Sequence, residues 1–176
     1  TLQDFVARYY AQVDPEDLQE RLPADLYGAA LSHWNFARKR APGEARVRAF
    51  NPTIEEQGWL SKHTIVEIVN DDMPFLVDSV AMEANRHGLT LHLIVHPILG
   101  VERSADGTLT GLASDDSPTR RVESFIHLEV DRTIDPAALQ SLATDIARVL
   151  GDVRAAVEDW GAMRDKARAI ADAIRR

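Results

Sequence analysis

The chain has no cysteine in 176 residues, which excludes a disulfide framework, a thiolate metal site and a cysteine nucleophile. No apolar run approaches ~20 residues, so no segment reads as a membrane-spanning helix, and no secretory leader opens the chain. These absences fit a reducing cytoplasm. Basic residues are also short: 20 Lys and Arg stand against 28 Asp and Glu, a net charge of −8. A general binder of nucleic-acid phosphates is therefore not expected. Glycine-rich phosphate loops and a GxSxG nucleophile elbow are missing, so neither a bound nucleotide nor serine catalysis is signalled.

What is present organises into three expected parts: a helical preface over residues 1–43, an α+β domain over 44–150, and a helix over 151–176. In the preface, Phe5, Tyr9 and Val13 share one stripe, Pro15 opens a short second helix, and Asp25 precedes Leu26, Ala30, Trp34 and Ala37. Ala41, Pro42 and Gly43 break the pattern, and residues 46–50 then read as a strand. Strands follow at 64–69, 90–96 and 122–130, with helices at 74–87 and from Asp135-Pro136 onward. The order β, α, β, β, α is that of a ferredoxin-like fold without its last strand. Residues 46–50 can fill that slot by an antiparallel hairpin with 64–69, which predicts a permuted α+β sandwich. In this arrangement strand 90–96 lies at the sheet edge, in keeping with Pro97 after it.

The segment 104–121, with Asp106-Gly107 and Asp115-Asp116-Ser117-Pro118, reads as a solvated excursion of a hairpin. The last helix carries an apolar three-four rhythm from Leu139 to Ile174, weakened at Gly151 and Gly161; one long helix or two in sequence are expected, the second reaching away from the sandwich toward parts beyond this sequence. Trp34 and Trp160 lie on apolar stripes and read as core, whereas Trp59 beside Gly58 is undecided. The lack of an initiating methionine and of a stop signal near Arg176 reads as a piece of a longer protein.

Helices cover one face of the four-stranded layer. The other is expected to display Ile94 and Phe125 among His92, His96, His127 and Glu129, a mixture that wants a cover. Either the preface or a second copy could supply it, making these six residues a candidate interface. A shared metal is not expected there, because His92 and His96 are ~13 Å apart along a strand. The stretch Asn70, Asp71, Asp72, Met73, Pro74 and Phe75 joins a strand to a helix N-terminus, where small anionic ligands can bind. Asp71, Asp72 and Asp78 read as helix caps and dipole partners rather than metal ligands.

The run VEIVNDDMPFLVDSV, followed by Gly88 and a strand, resembles the strand, D-x-P-G-L-L turn, helix, Gly, strand signature of ACT domains. Together with DLYGAALSHWNFARKRAPGEARVRAFNP and ESFIHLEVDR, it resembles the N-terminal ACT-like segment of the large bacterial NAD-specific glutamate dehydrogenases. The resemblance implies a non-catalytic regulatory or assembly domain, with NAD and glutamate handled elsewhere in the parent. No cofactor is expected in these residues. The implied partners are the remainder of the parent chain, further copies in a homo-oligomer, and a free amino acid effector at Asn70 to Phe75. One departure matters: Phe75 stands where ACT domains have a glycine, so a bulky ring plugs the ligand site or walls it.

Overall fold

A computed structural model describes residues 2–19 and 21–174. The preface forms α1 (Leu2–Tyr9), α2 (Pro15–Leu18) and α3 (Pro23–Phe36); then follow β1 (Arg46–Phe50), α4 (Ile54–Gln57) and β2 (Thr64–Asp71). After α5 (Leu76–Arg86) come β3 (Leu91–Val95), β4 (Ile98–Arg103), β5 (Leu109–Leu112), β6 (Arg121–Val130) and α6 (Pro136–Ile174). Asp14 caps α2 from its side chain ahead of Pro15, and Thr53 does the same for α4.

The strands make one antiparallel sheet in the order β1-β2-β6-β4-β5, with β3 also on β6. The ten-residue β6 is long enough to serve both: its first half pairs β4 and its second half pairs β3. β1 lies antiparallel beside β2, Arg46 opposite Val69. That is the slot of a missing ferredoxin-like fourth strand, filled from the N-terminal side as the sequence order implied. The segment 104–121 is more ordered than expected. β5 pairs β4, and Leu109 and Ala113 are buried. Thr108 also bridges Lys39, so the hairpin is anchored on the preface.

Each sheet face carries its own core. Val66, Ile68, Ile126, Leu128 and Val130 meet Leu76, Val80 and Ala84 of α5 and Leu142, Ile146, Leu150 and Val153 of α6. Val69, Leu93, Val95, Leu99, Val101 and Phe125 meet Phe5 and Tyr9 of α1 and Ala30 of α3. The second face is therefore covered by the chain's own preface. Phe5 anchors this cover, its ring centroid 5.5 Å from Phe125 and 4.7 Å from Trp34.

This layering corrects the face assignment. Ile94 stands opposite Leu128 and packs with α5 and α6, while Leu93 and Val95 join Phe125, His127 and Glu129 beneath the preface. A register irregularity between Leu91 and Leu93 upsets simple alternation along β3. Phe125, His127 and Glu129 are buried within this chain and present no surface to a second copy.

Helix α6 runs unbroken through Gly151 and Gly161 over 39 residues, about 58 Å at normal rise. Its first half is held by the sheet. Beyond Val157 the helix is exposed apart from a half-buried Gly161, and Trp160, expected in the core, is 64% exposed. Trp59 is buried instead, because α3 offers Gly28 at the point of contact. A Cβ on Gly28 would lie 2.6 Å from Trp59 Cβ.

Candidate functional site

The β2–α5 turn is pinned from both sides of the sheet. Asp71 ends β2 opposite Glu123 of β6. Arg40, from the end of the preface, donates to Asp71 Oδ1 and to Glu123 Oε1, each at 2.6 Å. Arg154 of α6 reaches Asp71 Oδ2 at 2.8 Å and Asn70 Oδ1 at 3.2 Å. Arg103 grips Glu123 through two bonds of 2.7 and 2.8 Å. It also donates to the carbonyls of Ala37 and Gly107. Gly107 has to be glycine here, because its φ is 82° and a Cβ would lie 2.3 Å from Arg40 O.

Burial pulls the Arg40 guanidinium down, but Glu123 and Asp71 outweigh it and hold it above its ordinary value. Burial likewise raises the Asp71 carboxyl, and the two arginines more than reverse this, leaving it below its usual range. Asp71 is thus committed to the fold as an ion-pair partner. It caps nothing: α5 has no side-chain cap.

Asp72 is also partnered. Ser124 Oγ donates to Asp72 Oδ1 at 2.7 Å and lies 3.1 Å from His96 Nε2. With Ser124 donating to the carboxylate, His96 is its Nε2–H tautomer donating to Ser124. Burial lowers the His96 pKa, against a smaller pull upward from Asp72. Met73 packs against the α5–α6 core, while Pro74 is exposed.

Phe75 keeps the backbone of the glycine it replaces. Its φ of 71° is left-handed, and it is the sole non-glycine residue with positive φ among the described residues. Its ring neither plugs the turn nor packs on the helix: it is 68% exposed. Beside it an open cleft of about 460 Å³ is lined by Asp72 to Asp78, His96 and Ile98. The uncapped α5 N-terminus adds a positive dipole end to that cleft. An acidic, glycine-free turn does not fit a dinucleotide, whose pyrophosphate needs close backbone approach; no glycine lies between Gly58 and Gly88.

The six residues weighed as an interface are dispersed. His92 is on Asp131 Oδ1 at 2.7 Å and stacks on His63; His96 joins the turn; Ile94 faces α5 and α6; the other three are core. Sequence reasoning missed Arg40, Arg103, Glu123 and Arg154. The available signal was Glu123, which shares one face of β6 with Phe125, His127 and Glu129, where a buried charge requires a partner.

The family model described as glutamate dehydrogenase, ACT1 domain, matches residues 5–146. The chain is 45% identical over 168 residues to the NAD-specific glutamate dehydrogenase of Halomonas elongata, covering 94% of this chain and 10% of that protein. Against the NAD-specific glutamate dehydrogenase of Pseudomonas aeruginosa the identity is 39% over 166 residues, again 10% of the relative's length. The Mycobacterium tuberculosis protein of the same name is 27% identical over 147 residues. The chain thus spans about a tenth of the length of the curated relatives it matches.

Proposed function

Because the chain belongs to the glutamate dehydrogenase ACT1 domain family, we propose that it is a non-catalytic regulatory and assembly domain of an NAD-specific glutamate dehydrogenase. In this reading the parent oxidises glutamate to 2-oxoglutarate with NAD, using residues outside this chain. The ACT-like turn is the surface through which the domain communicates with the rest of the assembly.

The carrying observation is Phe75: an exposed aromatic ring on a left-handed backbone, beside an uncapped helix end and an open cleft. The neighbouring acids are held by Arg40, Arg154 and Ser124, so the turn is preformed. Ile98, 48% exposed, extends the apolar patch. A subunit contact over Phe75 and Ile98 would close the cleft around a free amino acid, its carboxylate at the α5 N-terminus and its ammonium at the free edge of Asp72. Effector and assembly are then linked through one surface.

Calorimetric titration with each of the twenty amino acids, together with light scattering on wild type and Phe75→Asp, tests this. Binding of at least one amino acid, and loss of both binding and self-association in the variant, is expected. Assembly lost in Phe75→Asp with no amino acid bound at millimolar concentration would favour the second reading, a purely structural oligomerisation module. That reading draws on the same exposed ring. Assembly and binding both unchanged in the variant would remove the turn from either role.

A further inference from the structure

We propose that His33, Glu67 and His127 form a binding site for a first-row divalent transition-metal ion, zinc foremost, buried between the preface and the sheet. One donor atom of each lies within 4.8 Å of those of the other two. Glu67 and His127 are direct cross-strand partners in β2 and β6, and α3 lays His33 over them. All three side chains are buried.

Two of the three side chains carry an atom with no partner among the described residues. Glu67 Oε1 and His127 Nδ1 are buried polar atoms without a hydrogen bond, a state that a folded interior rarely tolerates. The outer atoms of Glu67 and His33 are meanwhile anchored by hydrogen bonds, and that of His127 lies near a carboxylate. Arg48 Nε holds Glu67 Oε2 at 2.8 Å, His33 Nε2 meets the Ile68 carbonyl at 3.0 Å, and His127 Nε2 faces Glu129 Oε1 at 3.7 Å. The Ile68 carbonyl places the His33 imidazole proton on Nε2 and turns its Nδ1 lone pair inward, as such acceptors do around protein-bound metals, while the Glu129 carboxylate lies beyond hydrogen-bond reach of His127 Nε2. His33 Nδ1 is engaged by the Tyr9 hydroxyl at 2.8 Å, so loading exchanges that hydrogen bond for the ion.

Two imidazoles and one carboxylate suit zinc and its neighbours. Calcium and magnesium, which require oxygen-rich shells, are poorly served, and Arg48 on the outer carboxylate oxygen disfavours them further. A tetrahedral ion spaces its donors about 3.4 Å apart, so loading draws each of the three donor atoms inward by at most about 1 Å. Entry is provided. A cavity of about 500 Å³, lined among others by Trp59, His63, Leu93, Val95 and Glu129, reaches His127 from the surface. None of these residues belongs to the β2–α5 turn.

The test is titration of metal-depleted protein with Co²⁺ and then Zn²⁺, read by visible absorption and by metal content after gel filtration. One ion per chain, with Co²⁺ d–d bands abolished by Zn²⁺, is expected. Glu67→Gln and His127→Gln should weaken uptake at least tenfold, whereas His92→Gln should not. Zinc should also raise the melting temperature of the wild type and leave that of Glu67→Gln unmoved. Should His127→Gln fail to fold, Glu67→Gln carries the test, since its amide oxygen keeps the shape and the bond from Arg48. No retained ion in the wild type overturns the proposal, as does equal uptake by wild type and folded Glu67→Gln. Uptake lost in His92→Gln would place the ion at the His63–His92 stack and equally overturn it.

Discussion

Glu123→Gln probes the device that holds the turn. Glu123 is fully buried and accepts from Arg40 and Arg103, both 1% exposed or less at the side chain. The substitution preserves shape but removes the negative charge, and it sets an NH₂ against guanidinium donors. Removing one partner of a buried ion pair destabilises by about 3–5 kcal/mol, chiefly through the charge left behind. Arg40 retains Asp71, and Arg103 retains two carbonyls, so the lower end, about 3 kcal/mol, is expected. For a chain of this size that lowers Tm by about 6–12 °C. Urea unfolding followed by circular dichroism, with Tm from thermal melts, provides the assay. A loss below about 1 kcal/mol would refute the claim that the buried ion pairs depend on one another. Replacing Glu123, Arg40 and Arg103 together by apolar residues of similar volume should recover much of the loss, because no buried charge then lacks a partner.

Phe125→Asp should unfold the domain rather than dissociate an assembly, losing more than about 4 kcal/mol, because it sets a carboxylate against Phe5 and His33 in a closed core; a folded monomer in light scattering would show the face to be intermolecular after all. Gly28→Ala should destabilise by about 1–3 kcal/mol as the new methyl meets Trp59, with a shift in tryptophan emission; an unchanged Tm would contradict the close approach. The Glu129 carboxyl, raised by burial but more strongly lowered by His127 and Arg21, titrates at about 2 in the folded chain against 4.5 ordinarily. Its stabilisation, on the order of 3 kcal/mol, is therefore complete above about pH 5 and disappears as pH falls toward 2. Glu129→Gln should flatten that acid limb in a pH series of urea midpoints, and an identical limb would contradict the assignment.

Apolar periodicity and turn residues carried most of the fold. The β1–β2 hairpin, α5 and the long α6 were legible because their patterns repeat over many residues and one permuted topology accommodates them. The β3 face was misread where an irregularity between Leu91 and Leu93 breaks alternation, which periodicity cannot register. β4 and β5 were hidden because they are short and interrupted by Gly100 and Gly111, although Leu99, Val101 and Leu109 join the core beneath the preface. Trp160 was assigned to the core because a helical stripe does not reveal where its supporting sheet ends. For the turn, the motif located Asn70 to Phe75, but Asp71 read as a helix cap and dipole partner rather than as an ion-pair partner. Its partners Arg40 and Arg154 are 31 and 83 positions away, and only the folded topology brings them together.

Amide hydrogen exchange, compared between this chain alone and the full-length parent protein, tests most directly the claim that the sheet is closed within one chain and the proposal that it communicates through its turn. The account expects added protection in the full-length assembly at 72–79 and around Ile98, with unchanged protection in α1 and α3, already packed on the sheet. Protection gained across α1, α3 and β6, with none at the turn, would contradict it.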